Sequence, residues 1–153
     1  MTTQDFITKT YGIPSTKERH CSSVYTDHKG NVYSYGAHYP LLFQVAGHWF
    51  VNTRGYSNST SKHIGWAWQA VNYNATAVEL NREDARVISS SWASDQNKLE
   101  TLARATAEMV ARAQEACDAK KRKDTQVYHW LADTLGRAQA SQIAVKNLQK
   151  EVA

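Results

Sequence analysis

Residues 95–119 read DQNKLETLARATAEMVARAQEACDA, a stretch with neither Gly nor Pro. Leu99, Leu102, Thr106, Met109, Ala113 and Ala116 step through it by three and four residues. That is the spacing of one helix face and of a heptad-like seam. Asp95 reads as the N-cap. KKRKD at 120–124 breaks the pattern, which resumes as Val127, Leu131, Thr134, Ala138, Ser141, Val145 and Leu148. The spacing predicts two helices of about 25 residues, each about 37 Å long at 1.5 Å per residue. Residues 120–124 close them into an antiparallel hairpin. The seams mix Ala, Ser and Thr with few large residues, so they permit close approach but bury little area.

Upstream of residue 93 the composition changes to Tyr, His, Trp, Ser, Asn and Gly, which reads as short strands and turns. CSSVYT and VYSYG flank the polar turn DHKGN, a hairpin signal. PLLFQV and WFVN form a second hairpin around Ala46-Gly47. Either Leu42 with Val45, or Leu41 with Phe43, supplies its inward face, and so short an apolar run does not decide between them. SKHIGWAWQAV (61–71) reads as a short helix capped by Ser59 or Thr60, with Ile64, Trp68 and Val71 facing the sheet. TAVEL (76–80) is a fifth strand, entered through the turn NYN. NREDARVISSS fits either a turn of helix or a loop with one further strand at Arg86–Ser89. The expected fold is α+β: residues 1–92 form a small antiparallel sheet with one short helix, and residues 93–153 form the hairpin. Strands of four to six residues span only about 20 Å. The helices therefore overhang the sheet or pack on a second copy, and we expect a homo-oligomer.

At 153 residues the chain has one domain's worth of core. Its net charge of +4 and pI near 9.1 permit nucleic-acid binding without demanding it. The charge is spread evenly, eight Lys/Arg against six Asp/Glu before residue 93 and ten against eight after it. Cys21 and Cys117 are far apart and in no zinc-like spacing, so they read as two free thiols of a reducing cytoplasm. The opening MTTQDFITKTYG has no apolar core, so no signal peptide is expected. No run approaches 18 apolar residues, so no membrane span is expected either.

Catalytic patterns are hard to find. The six histidines form no HExxH or HxH pair, and read as aromatic-polar residues of a half-exposed sheet rather than metal ligands. There is no GxSxG elbow, P-loop or GxGxxG. Glu83, Asp84 and Asp124 sit in polar segments expected to be exposed, where nothing raises a carboxyl pKa. Arg104, Glu108 and Arg112 read as a solvated ion-pair row on one helix face. The 120–123 cluster reads as cations at a helix C-terminus. The expectation is a protein that is not an enzyme and has no cofactor.

One constellation remains. In NTRGYSNSTSKHIGWAW (52–68) the most polar stretch runs directly into two tryptophans. A helix starting at Ser59–Ser61 presents free backbone N–H groups and a positive dipole end. Arg54 precedes it, Lys62 and His63 lie in its first turn, and hydroxyls of Ser57, Ser59, Thr60 and Ser61 surround it. Tyr56 or Trp66 is placed to stack on a base. The candidate ligand-binding residues are thus Arg54, Tyr56, Ser59, Thr60, Ser61, Lys62, His63 and Trp66, for a phosphate, a nucleotide or a nucleic-acid backbone. Capping alone accounts for the hydroxyls and the aromatics, but not for Arg54 and Lys62.

The same stretch resembles a segment of small tailed-bacteriophage accessory proteins, in which N-x-x-x-Y-S-x-[ST]-T-[SA]-K-H follows a β-hairpin and opens a helix. Here it maps onto Asn52, Tyr56, Ser57, Ser59, Thr60, Ser61, Lys62 and His63. The resemblance implies a phage product acting in the bacterial host cytoplasm. Small phage proteins of this kind are often inhibitors of host defence, such as anti-CRISPR proteins or sponges of nucleotide signals. A small sheet followed by two antiparallel helices is similar to one sponge family's layout. The expected function is a non-enzymatic binding protein that counters a bacterial defence component, either a protein complex or its nucleotide signal. The alternatives are a nucleic-acid-binding early protein using Arg54, Lys62 and residues 120–123, and a nucleotide-processing enzyme.

Overall fold

The computed structural model describes residues 1–55 and 57–153. In chain order the elements are α1 (Thr3–Thr10), β1 (Arg19–Cys21), β2 (Val24–Thr26), β3 (Val32–Ser34), β4 (Pro40–Val45), β5 (His48–Asn52), α2 (Asn58–Ala70), β6 (Thr76–Val78), α3 (Arg82–Ser89), α4 (Asp95–Ala119) and α5 (Gln126–Val152). The six strands form one sheet in sequence order. The fold is α+β, with the helical pair at its C-terminal end.

β1 to β5 are an antiparallel meander. The β4–β5 turn is the expected Ala46-Gly47, with both residues at left-handed φ of 51° and 79°. Two left-handed residues make the tight turn whose twist matches the flanking strands. Between β3 and β4, Val32 pairs with Leu42 and Tyr33 with Pro40, which leaves Leu41 as a bulge residue. The bulge puts Leu41 and Leu42 in the same apolar cluster, while Phe43 and Val45 lie in the other. Both faces of β4 are therefore covered, and neither expected pairing holds: all four residues are buried, but the bulge splits Leu42 from Val45 and Leu41 from Phe43.

The sheet is mixed, not wholly antiparallel as expected. β6 pairs parallel to β5, Val51 opposite Ala77. The cause is α2, which packs against β4 and β5 and returns the chain to the end of the sheet where β5 began. A strand entered from there runs in the same direction as β5. The helix count also exceeds the expectation, since α1, α2 and α3 all precede the hairpin. α1 is fixed by Thr2, whose side chain accepts from Asp5 N–H, and by buried Phe6 and Ile7. In α3, Asn81 caps Asp84 N–H, so residues 82–89 are helical with no further strand.

The helices cover both sheet faces. α1 and α2 enclose Val24, Val32, Leu41, Leu42 and Val51 with Phe6, Ile7 and Ala67. α3, α4 and α5 enclose Phe43, Phe50 and Val78 with Ile88, Leu99, Leu102 and Val145. The predicted seams are buried where they meet the sheet, at Leu99, Leu102 and Thr106 on α4 and at Ala138, Ser141, Val145 and Leu148 on α5. From 107 to 137 Cys117 alone is fully buried, so the outer half of the hairpin overhangs the sheet. Val127 and Trp130 are exposed there. Lys123 closes the hairpin by donating to Cys117 C=O and lying over the Tyr128 ring. Both cysteines are free, Cys117 buried and Cys21 half-buried.

Three local expectations are corrected. α4 is capped by Ser94, and Asp95 is its first residue. Asp84 is buried rather than exposed. Burial pushes its carboxyl pKa up, opposed by the Arg104 guanidinium paired with it. Arg104 and Arg112 form no row with Glu108 on α4. They reach out to Asp84 and to Glu79 respectively.

Candidate functional site

α2 begins at Asn58, one residue before the nearer of its expected caps, because Ser57 supplies the cap. Its side chain accepts from Thr60 N–H at 3.2 Å, and its carbonyl accepts from Ser61 N–H. The face turned to the sheet is Thr60, His63, Ala67 and Val71, with Ile64 and Trp68 half-buried beside it. The buried stripe is thus rotated by about one residue from the expected Ile64, Trp68 and Val71.

His63 is a packing residue with a polar tie. Its Nδ1 lies 2.7 Å from Ser34 Oγ, and both side chains are buried. Its ring sits 5.7 Å from Tyr35 and 5.6 Å from Trp66. Burial pushes its pKa down, so the imidazole is neutral at pH 7. Tyr35 is exposed, with a left-handed φ of 64°. Hydrogen bonds from Ser59 and Ser23 hold its hydroxyl below the usual tyrosine pKa.

A depression of about 270 Å³ opens here, lined by Ser34, Tyr35, His38, Tyr39, Ser57 and Thr60. Of the sequence-predicted residues, Thr60 lines it and Ser59 adjoins it through Tyr35. Ser61 and Lys62 are exposed on the helix beside it. Arg54 is half-buried and held by its main chain, its N–H donating to Asn52 Oδ1 and its C=O accepting from Tyr39. Trp66 is half-buried against His63. Tyr56 lies outside the described residues. The described lining is hydroxyl and imidazole, and includes neither Arg54 nor Lys62.

A larger cleft lies at the other end of α2. There Asn72 N–H bonds to Gln69 C=O and Tyr73 N–H to Trp68 C=O, with both residues at left-handed φ. This is the Schellman exit of a helix, and it turns the chain into β6. The cleft, about 640 Å³, runs along β6. One wall is Trp68 and Tyr73, whose rings stack at 6.2 Å. The other is Met109, Ala138 and Ser141 of the hairpin. Arg137 also lines it, and has no ion-pair partner among the described residues. Glu79, at one end, is paired with Arg112 at 3.0 Å.

β6 is an edge strand, pairing only with β5. Thr53 N–H donates to Val78 C=O, so Val78 faces β5. Alternate residues of a strand direct their N–H and C=O to opposite edges, so Ala77 and Glu79 face the cleft. Glu79 N–H meets only Met109 Sδ, at 3.3 Å. Sulfur is a weak acceptor. No family model, curated protein or solved structure matches the chain. The two concavities are therefore read on their chemistry alone. The depression can hold a small polar group. The cleft can hold something longer and partly apolar.

None of the cleft residues was among the candidate ligand-binding residues; Trp68, Met109, Thr134, Ala138 and Ser141 were expected only as packing positions. One signal was available: Ala75, just before β6, and Ala77 within it are small residues that leave backbone uncovered.

Proposed function

We propose that this chain is a phage-encoded, non-enzymatic binding protein that acts in the bacterial host cytoplasm and counters a defence system by occupying one of its protein components. The cleft along β6 is its binding surface. That single observation carries the binding part of the reading. At about 640 Å³ the cleft falls within the roughly 300–1,000 Å³ of pre-formed binding sites, largely apolar with a few polar groups. The phage and defence parts rest on the resemblance of residues 52–63. A protein component fits the cleft better than a nucleotide signal does. A nucleotide brings phosphate charge, and Arg137 is the one cation in the described lining.

A second reading keeps the start of α2. The hydroxyls of Ser34, Ser57 and Thr60 around one depression favour a small phosphate-bearing signal there. Self-association belongs to the same proposal, through the overhanging half of the hairpin with its exposed Val127 and Trp130.

Native mass spectrometry of the protein purified from bacterial cells tests all three points. Ala140 is exposed and lines the cleft, so Ala140→Trp fills it without touching the core. The expected result is an oligomer holding a bacterial protein that the Ala140→Trp variant loses. A retained nucleotide, lost in Thr60→Val and kept in Ala140→Trp, replaces the first reading by the second.

A further inference from the structure

We infer that the β6 cleft captures its partner by strand addition, taking an extended peptide segment that carries a carboxylate side chain. This rests on the reading of the cleft as the binding surface. The edge of β6 offers the N–H and C=O of Ala77, and beyond it the N–H of Glu79, whose present acceptor is a thioether sulfur. A peptide carbonyl is a far better acceptor than Met109 Sδ, so an incoming strand gains that bond at little cost. Exposed edges in soluble proteins are usually blunted by shortness, lysine, proline or a bulge. Residues 75–78 read ATAV, so only the three-residue length of β6 blunts this edge. The small side chains at Ala75 and Ala77 leave the main chain reachable.

The shape of the cleft selects the occupant. α2 and the α4–α5 hairpin cover opposite faces of the sheet, and the edge lies between them, with Trp68 and Tyr73 at the end of α2 on one side and Met109 and Ala138, midway along α4 and α5, on the other. A second copy cannot lay its own β6 against this one, because its edge is recessed in the same way. A single strand can enter, since strands pair at about 4.8 Å. Charge selects the side chain. Glu79 is already neutralised by Arg112, whereas Arg137 is unpaired among the described residues and wants an anion. A carboxylate on the incoming strand supplies it, with small or β-branched neighbours against the apolar walls.

The test is selection from a displayed library of random linear dodecapeptides against the full chain, followed by affinity measurement on synthetic copies of the winners. The expected winners are β-branched, contain Asp or Glu at a fixed position, and protect the Ala77 and Glu79 amides from hydrogen exchange. N-methylation of the peptide at alternate positions, which leaves the protein untouched, lowers affinity about ten-fold or more per lost bond. N-methylation at the intervening positions does not. Arg137→Glu, an exposed helical change, shifts the selection from acidic to basic peptides. Peptides lost in Ala140→Trp but indifferent to N-methylation overturn strand addition while leaving the cleft as the binding surface. Winners that bind Ala140→Trp undiminished overturn both. Failure of any peptide to enrich overturns strand addition, and the nucleotide and partner masses from the native spectra then decide the cleft separately.

Discussion

Replacing Asn52 should cost more than any other single polar change near the cleft. Asn52 is fully buried at the end of β5. Its Oδ1 accepts from Arg54 N–H at 3.2 Å and from Leu80 N–H at 3.3 Å. The amide thereby clamps the chain on both sides of the α2 crossover and pins β6 two residues beyond its last paired residue. Asn52→Ala strands Leu80 N–H in the core. A buried donor without a partner costs about 1–3 kcal/mol. Arg54 N–H is half-exposed and regains water, so its loss is about 0.5–1.5 kcal/mol. The sum is about 1.5–4.5 kcal/mol. At about 3 °C per kcal/mol for a chain of this size, Tm falls by roughly 5–14 °C. Urea denaturation at pH 7 measures the loss, and hydrogen exchange at the Leu80 amide locates it. Asn52→Leu separates hydrogen bonding from packing, because it restores volume but not the acceptor. It should be about as unstable as Asn52→Ala, and Asn52→Asp, which keeps an acceptor, should be less so. If Asn52→Leu came within about 0.5 kcal/mol of the parent, or if Leu80 exchange were unchanged in Asn52→Ala, the clamp would have no energetic role.

Three further outcomes follow from other contacts. His63 is buried with a lowered pKa, so the unfolded chain binds its proton more readily than the folded one. Stability should therefore fall as pH drops below about 6.5 towards the lowered folded value, and urea midpoints from pH 7.5 to 5 should show that slope shrinking in His63→Gln. Arg104→Ala leaves the buried Asp84 carboxylate uncompensated and should cost about 1–3 kcal/mol at pH 7, discounted because Arg104 is half-exposed. Arg112→Ala breaks only an exposed pair and should cost about 0–1 kcal/mol. The Arg104→Ala loss should shrink as pH falls into the range where Asp84, its pKa raised, takes up a proton, and thermal melts at pH 7 and pH 4 check both variants. Gly30→Ala puts a Cβ 2.6 Å from the main chain of Gly12 and Ile13 at φ of 90°, which should cost about 2–5 kcal/mol. Gly47→Ala meets open space, so only its φ of 79° counts, at about 1–2 kcal/mol. A cost for Gly47→Ala equal to that of Gly30→Ala in chemical denaturation would remove the steric argument.

Where side-chain period meets one buried face, the fold was legible. The seam of α5 is readable from Ala138 to Leu148 because every fourth or third residue touches the sheet. The Ala46-Gly47 turn is readable because a glycine breaks two β-prone apolar runs, and both of its residues take left-handed φ. Legibility failed where the cause is tertiary. β6 looks the same whether it runs parallel or antiparallel, and its direction is set by where α2 deposits the chain. Asp84 sits in the polar string NREDAR, yet α4 brings Arg104 beside it and permits its burial. The stripe of α2 was misplaced by one position because both Ile64 and Ala67 are apolar, and the close approach of helix to sheet selects the smaller residue.

The candidate site illustrates a sharper limit. Chemistry carried by side chains leaves a mark in sequence, so hydroxyls and cations drew attention to residues 54–63. The cleft's most specific groups are the main-chain N–H and C=O of Ala77 and the N–H of Glu79. Every non-proline residue owns such groups, and only the pairing partner decides whether they are spent. Their availability follows from three facts that no local window contains. β6 is the last strand, Val78 turns its own carbonyl to Thr53, and a cleft opens along the edge between the end of α2 and the middle of the hairpin. A site of this kind becomes visible only when each strand's backbone bonds are counted to the end of the sheet.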